Sequence, residues 1–265
     1  MAIGFNQYPA VGDRIPNLQV VPDITLPASS VQQQVPFVMN GGPVCIVGLA
    51  AKSTAAFTSR IELTWEQTYC DTGEVRSTSL WGTATSPTWV RPKHVPDGTT
   101  LNFYLRNLVT NATNTVQLML FCVNGLDGDD ALYGRGKGFM VYVLPNDAGM
   151  VVPASGTLQF TQQAEAWADF APDAMVMEST SPSFSINYEF RDSRADFNYQ
   201  LCNLRTPGAN LFGTPAGSGT DIKPWQFPDG GQPVFRKNSN LTYDAFDTSG
   251  SANTLRPCQI GQRLT

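Results

Sequence analysis

The sequence predicts an all-β protein: two tandem, duplicated antiparallel β-sandwiches of jelly-roll or immunoglobulin-like type, with an extended N-terminal arm. Three observations predict it. Short runs alternate apolar and polar residues, the period of a half-buried strand, and turn residues separate them. The 23 Gly and 19 Pro are spread along all 265 residues as punctuation rather than gathered in one block. And the chain repeats itself. Ile61-Glu62-Leu63-Thr64-Trp65-Glu66 is echoed by Phe184-Ser185-Ile186-Asn187-Tyr188-Glu189, 123 residues on, and Phe37 finds Phe160 at the same spacing. Leu80-Trp81-Gly82-Thr83 meets Leu211-Phe212-Gly213-Thr214 at 131, Leu101-Asn102-Phe103 meets Leu241-Thr242-Tyr243 at 140, and Asn114-Thr115-Val116 meets Asn253-Thr254-Leu255 at 139. The order is kept, and the spacing grows where Gly- and Pro-rich segments can lengthen. Such a period sets the architecture before any single residue does.

Residues 1–30 read as the arm. Pro9, Pro16, Pro22 and Pro27 recur with isolated apolar residues between them, too few to build a core of their own. An arm of this kind is held by its own sandwich or by a neighbouring subunit. The first sandwich is expected over 31–126. Val44-Cys45-Ile46-Val47-Gly48-Leu49 is a continuous apolar run, as in a buried strand, and Ile61 to Glu66 alternates. Leu101 to Leu105 and Val116 to Val123 look like a closing hairpin, with Asn111 to Asn114 as its loop. A bridge over 127–153 carries Phe139-Met140-Val141-Tyr142-Val143-Leu144, which fits an eighth strand of the first copy or a strand joining the two. The second sandwich is expected over 154–265, closing on Leu241 to Phe246 and Thr254 to Gln259. Pro257 in that last strand points to an edge or a bulge. Gln162 to Ala168 is rich in helix formers, but the repeat sets Trp167 opposite Val44 and so makes the segment a strand.

At 265 residues the chain is long enough to bury a sizeable core. Charged residues are only 15% of it, low for a free monomer, so partners are expected to cover part of the surface. The net charge is −5 and the pI about 4.8. Packaging nucleic acid needs dense Lys or Arg against phosphate. The nearest clusters, Arg91-Pro92-Lys93-His94 and Arg135-Gly136-Lys137, read as solvated loops or ion-pair contributors, so no nucleic-acid partner is expected. No run reaches membrane-span length, and Met1 to Gln7 lacks the basic and apolar regions of a secretion signal. Folding in a reducing cytoplasm is expected, with the cysteines at 45, 70, 122, 202 and 258 as thiols, several of them small buried hydrophobes.

Chemistry has little to build on. The single histidine, His94, falls in what reads as a Pro-flanked loop, and no Gly-x-Ser-x-Gly elbow or Gly-Lys-Ser/Thr phosphate loop occurs. Glu62 and Glu66 share a presumed solvent face and read as two solvated acids. Asp127, Asp129 and Asp130 could collect a calcium ion, but their spacing departs from the EF-hand loop and lacks its closing Glu. A polar turn is the simpler reading, and no cofactor is expected. The Asn-x-Thr sequences at Asn111 and Asn240 mark polar loops. Trp65 and Trp81 repeat as Tyr188 and Phe212, which suits core or interface positions. Trp89 and Trp225 sit in Pro-rich loops and are the candidates for an exposed contact with a partner or a glycan.

The segment Phe235-Arg236-Lys237-Asn238-Ser239-Asn240-Leu241-Thr242, with Asp247 to Leu255 and Leu211-Phe212-Gly213-Thr214, resembles small β-sandwich structural proteins of tailed bacteriophages, of the capsid decoration or cement type. The resemblance covers 180–264 and, more faintly, 60–125. It implies a non-enzymatic virion component assembled in the host cytoplasm, binding the major capsid protein or other virion proteins as a homo-oligomer, with a trimer favoured. No functional residue carries over. Two alternatives stay open: a major coat subunit built from tandem sandwiches, and a module binding a host surface glycan or receptor.

Overall fold

The computed structural model describes residues 16–29, 31–124, 136–143, 148–163, 169–191, 198–200, 204–208, 225–227 and 234–264, for some of them the backbone alone. The first half contains β1 (Pro16–Val20), β2 (Ile24–Leu26), β3 (Gln33–Val38), β4 (Val44–Ser53), β5 (Phe57–Leu63), β6 (Thr68–Tyr69) and β7 (Val75–Arg76). The four-residue helix α1 (Ser77–Leu80), β8 (Thr88–Val95), β9 (Thr100–Asn107) and β10 (Asn114–Asn124) complete it. The second half contains β11 (Gly136–Val143), β12 (Met150–Val152), β13 (Thr157–Gln163), β14 (Asp169–Ser179) and β15 (Phe184–Arg191). It continues with β16 (Asn198–Gln200), β17 (Thr206–Pro207), β18 (Trp225–Gln226), β19 (Asn240–Asp247) and β20 (Asn253–Leu264).

Each half is a sandwich of two antiparallel sheets. In the first, one sheet runs β1-β10-β4-β8 with β2 also beside β10, and the other runs β3-β9-β5-β6 with β7 also beside β5. In the second, the orders are β11-β20-β14-β18 with β12 beside β20, and β13-β19-β15-β16 with β17 beside β15. Every strand of the second half is the tenth after its counterpart. Counting β1 with β2 and β6 with β7 as broken strands, each half is an eight-stranded jelly roll, and the all-β, duplicated sandwich is as the sequence predicts. The first core gathers Leu26, Leu49, Phe57, Phe103, Leu105, Val116 and Leu118, all at most 1% exposed. The second gathers Val152, Phe235, Leu241, Tyr243 and Leu255, all fully buried.

A buried asparagine marks the same place in both rolls. Asn114 is 0% exposed at the start of β10. Its Oδ1 accepts from Thr54 N (3.2 Å), Thr54 Oγ1 (3.0 Å) and Ala55 N (3.0 Å), and its Nδ2 donates to Ala55 O at 2.8 Å. Asn253 is also 0% exposed and starts β20. Its Oδ1 accepts from Thr180 Oγ1 and Ser181 N, both at 3.0 Å, and its Nδ2 donates to Ser181 O at 2.9 Å. Thr54 Oγ1 and Thr180 Oγ1 in turn accept from Thr115 N and Thr254 N.

This alignment corrects the spacing read from sequence. Thr54 and Thr180 are 126 apart, not 123, and through the pairing of β9 and β19 it is Phe57, not Ile61, that corresponds to Phe184. Other expectations also change. Of the arm, residues 16–20 and 24–26 are strands paired with β10, so this part is held by its own sandwich, one of the two holders expected, and is part of the roll rather than an appendage. The run at Phe139 belongs to neither the first copy nor a bridge: β11 pairs with β20, as β1 does with β10. Leu101 to Leu105 and Val116 to Val123 form no hairpin, because β9 and β10 lie in opposite sheets. Pro257 lies in β20, a central strand, opposite Met177. The ladder on its other side is interrupted there, between β11, which ends opposite Cys258, and β12, which begins opposite Leu255. Of the segment 162–168, Gln162 and Gln163 end β13, and the rest, with Trp167, lies outside the described residues.

Asn114→Ala removes the partner of the Ala55 amide and of the donors of Thr54, and Asn253→Ala does the same to Ser181. Each is expected to lower the unfolding free energy by about 1–3 kcal/mol, read as a lower urea midpoint at unchanged slope.

Candidate functional site

Two surfaces carry the chemistry of the described residues: the seam between the rolls and the outer face of the β1-β10-β4-β8 sheet. The seam forms because the outer face of β14 and β20 is apolar. Val176, Cys258 and Ile260 point away from their own core and join the core of the first roll. They pack beside α1 and β8, the open edge of that roll.

Charge pins this contact. A β-bulge between Pro172 and Ala174 leaves Asp173 as the extra residue of β14 and re-aims its side chain. Arg91 of β8 grips it with both arms of the guanidinium, Nε to Oδ2 at 2.9 Å and Nη2 to Oδ1 at 2.7 Å. Gly261 lies against this bulge, where a Cβ would stand 2.0 Å from Ala171 O. Glu178 accepts from Thr78 Oγ1 and from Arg76 of the first roll, and from Arg256 of its own at 3.0 Å. Arg263, 8% exposed, donates to Tyr69 O at 3.1 Å. Lys93, 5% exposed, pairs with Glu66. Arg91-Pro92-Lys93-His94 is thus strand β8 rather than a loop, His94 included, and its cations serve ion pairs.

Beside the seam, Asp71 accepts from Arg60 Nε at 2.7 Å and Ile61 N at 2.8 Å. Burial pushes its carboxyl up to about 6 against those bonds. Burial also raises the thiols of Cys70 and Cys258, and the charge of Asp71 adds to this. A thiolate is the reactive form, and burial disfavours it at both thiols, which pack in the first core.

The outer faces of the first roll's two sheets differ. That of β9 and β5 is polar and internally matched. Glu62 accepts from Asn102 Nδ2 (2.9 Å) and Tyr104 Oη (2.7 Å), which hold its carboxyl below the usual range. Arg60 lies 4.0 Å over the Tyr69 ring, and Arg106 binds Glu74. Glu62 and Glu66 are therefore engaged by separate partners.

The outer face of β1-β10-β4-β8 is apolar over two rows, beyond which Gln117 and the exposed Lys52 stand opposite each other. Leu18 faces Phe121, which faces Gly48, which faces Trp89. The next row is Val20, Met119 and Ala50. Trp89 is half-buried. It covers Gly48, where a Cβ would sit 2.9 Å from Trp89 Cε3, and meets Phe121 edge-on at 5.9 Å. Cys45, Val47 and Val123 fill in beside it. Leu18 is 51% exposed and Val20 42%. A cleft of about 550 Å³ borders this face, between Met119, Gln117, Lys52, Thr78 and the turn at Gly82 and Thr83.

Of the sequence candidates, Trp89 lies on this apolar face. Trp65 packs against the first core and Trp81 lies within it, its Nε1 donating to Ser59 Oγ. Trp225 is in β18 opposite Met175, and its side chain lies outside the described residues, as do Asp127, Asp129 and Asp130. Among the described residues no group of three His, Cys, Asp or Glu is placed to hold a metal ion, and no helix is long and apolar enough to cross a membrane. Sequence reading missed Leu18, Val20 and the seam. The signal was present in β4 and β10, whose nearly continuous apolar runs mark a sheet covered on both faces, where alternation marks one face in water.

No family model matches the chain, and no curated protein matches it. Among solved structures, it is similar to PNGase F, a glycosylasparaginase from Flavobacterium meningosepticum, at 14% identity and a TM-score of 0.41, covering 95% of this chain and 96% of that one. A recombinant N-glycanase F gives 10% and 0.40, covering 96% of both chains. The PBSX exported protein XepA gives 12% and 0.25, covering 92% of this chain and 86% of its own. Likenesses at this level do not bear on function.

Two outcomes follow from the seam. Arg91→Ala leaves Asp173 without its forked partner, so hydrogen exchange in β8 and β14 is expected to quicken while β9 and β19 keep their protection. The carboxyl of Asp71 binds its proton more tightly folded, at about 6, than at its ordinary 3.8. That stabilisation is complete below 3.8 and is lost as pH rises through 6. Thermal melts across this interval should show the loss in the wild type and not in Asp71→Asn.

Proposed function

We propose that this chain is a non-enzymatic structural protein of a virion, a coat subunit that supplies two tandem jelly rolls to the shell. The observation that supports this reading is the strand-for-strand repeat of one jelly roll, clamped into a pair by apolar contact and by Arg91–Asp173 and Glu178. Jelly rolls are recurrent building units of viral capsids. A fused pair with a pinned seam presents fixed faces to neighbours, which a shell position requires. Low charge and an apolar outer face agree with a surface covered in the assembled state.

The second reading is a decoration or cement protein that sits on a shell made by a separate major capsid protein. It is supported by the same face, Leu18 and Val20 then meeting that other protein. Either role places the chain in the virion after assembly in the host cytoplasm. A glycan contact at Trp89 is weaker, since Trp89 is already packed on Gly48 and Phe121.

Imaging of purified particles with this chain located in them separates the readings. A coat subunit is expected to form the continuous shell and to be its most abundant protein. A decorator would lie outside a shell built of another chain. Absence from particles would overturn both.

A further inference from the structure

We propose that the outer face of the β1-β10-β4-β8 sheet is a docking surface for a second copy of this chain. This deepens the coat-subunit reading and rests on it for its biological setting. The repeat places two equivalent sheet faces in one chain. Counting from the paired asparagines, Phe121 and Ile260 each lie seven residues after Asn114 and Asn253, and Met119 and Cys258 each lie five after. Counting back from Thr54 and Thr180, Gly48 corresponds to Ala174 and Ala50 to Val176. The pairing registers of β4 with β10 and of β14 with β20 agree with this, bulge included.

The two equivalent faces meet different fates. In the second roll, Ala174 and Val176 are 7% exposed and Cys258 and Ile260 are 2% exposed, because the first roll covers them. In the first roll, Phe121 and Met119 are half-buried, and β1 extends the face with Leu18 and Val20, at 51% and 42% exposed. One chain thus uses this sheet face once as a contact and presents it a second time, larger and open at one side. The contact within the chain joins unlike surfaces, a sheet face to an edge made of α1 and β8, and that edge is thereby taken; a second copy would bring the second roll's edge at β18, the counterpart of β8, so the contact between chains is head-to-tail. Such a contact closes into a ring when the rotation allows it. The polar face of β9 and β5, with its charges already matched, makes no comparable surface.

The test uses the full chain. Leu18→Lys with Val20→Lys places two charges on side chains already in water, so the fold should survive, checked by an unchanged melting temperature. Sedimentation across a range of concentrations is expected to show the wild type associating into one discrete closed species. The double variant should associate at least about tenfold more weakly, the loss expected when buried apolar contact is replaced by charge. Val38→Lys, a change on the edge of the other sheet at a residue 45% exposed, serves as control and should associate normally. A wild type that stays monomeric throughout, a double variant that associates like the wild type, or a control that fails equally would overturn the proposal. The two readings fail separately. Association lost with Leu18 and Val20 in a chain absent from particles leaves docking standing without the virion role. Particles built normally from the double variant leave the virion role standing without this docking face.

Discussion

The structure hangs on the placement of one carboxamide per roll. The chain passes from one sheet to the other at 54–56 and again at 180–183, and at each passage backbone groups turn to a buried asparagine rather than to a strand. Asn114 and Asn253 satisfy those groups from the first residue of the last strand. A buried amide left unpaired is costly, so only one register of β10 on β4, and of β20 on β14, closes the accounting. Register in a sheet decides which residues face inward, since a slip of one residue reverses every side chain. Once the asparagine is set, Leu118, Leu120 and Cys122 face the core, and Met119, Phe121 and Val123 face out. The apolar outer face follows from that choice.

The bulge in β4 and β14 shows one backbone device put to two uses. In β14 the extra residue is Asp173, and the bulge turns it toward Arg91 across the seam. In β4 the extra residue is Val47, which joins Cys45, Val123, Phe121 and Trp89 in an apolar cluster on the outer face. The backbone geometry is shared, and the side chain decides whether it makes an ion pair or a greasy patch. The forked Arg91–Asp173 contact is directional, so it fixes the angle between the rolls in a way that Val176, Cys258 and Ile260 alone would leave loose. Removing the charge of Asp173 while keeping its volume would test this division of labour through the seam geometry rather than through overall stability.

Much of the fold was legible because strands of a two-sheet sandwich leave a period of two. Phe103 with Leu105, and Leu241 with Tyr243, announce half-buried strands. The duplication was legible too, through Asn114-Thr115-Val116 and Asn253-Thr254-Leu255. The register of the earlier strands was not. Matching Ile61 to Phe184 keeps the alternation intact and is still four residues off, because alternation is blind to even slips. Alternation also says nothing about which sheet a strand joins, so β9 and β10 read as a hairpin although they lie in opposite layers. The seam was hidden for a different reason. Arg76, Arg91, Glu178 and Arg256 look like ordinary surface charge in one dimension, and only the fold brings residues a hundred positions apart together. Pro92 made β8 read as a loop, although it lies within an edge strand of its sheet, where a missing donor is tolerated.

The remaining asymmetry between the rolls is instructive. Equivalent positions in a duplicated chain start out alike, and they diverge as their surroundings differ. Ile260 and Cys258 are compact and lie under the first roll. Phe121 and Met119 are larger, and Leu18, Val20 and Trp89 flank them. A face destined for water would be expected to gain charge under the same freedom, since exposed apolar area favours unwanted association. The neighbouring sheet did so, with Arg60, Glu62, Glu74 and Arg106 across it. Retaining bulk over two rows of one face, with Lys52 only beyond them, while the other became ionic, is the pattern of a surface kept for contact.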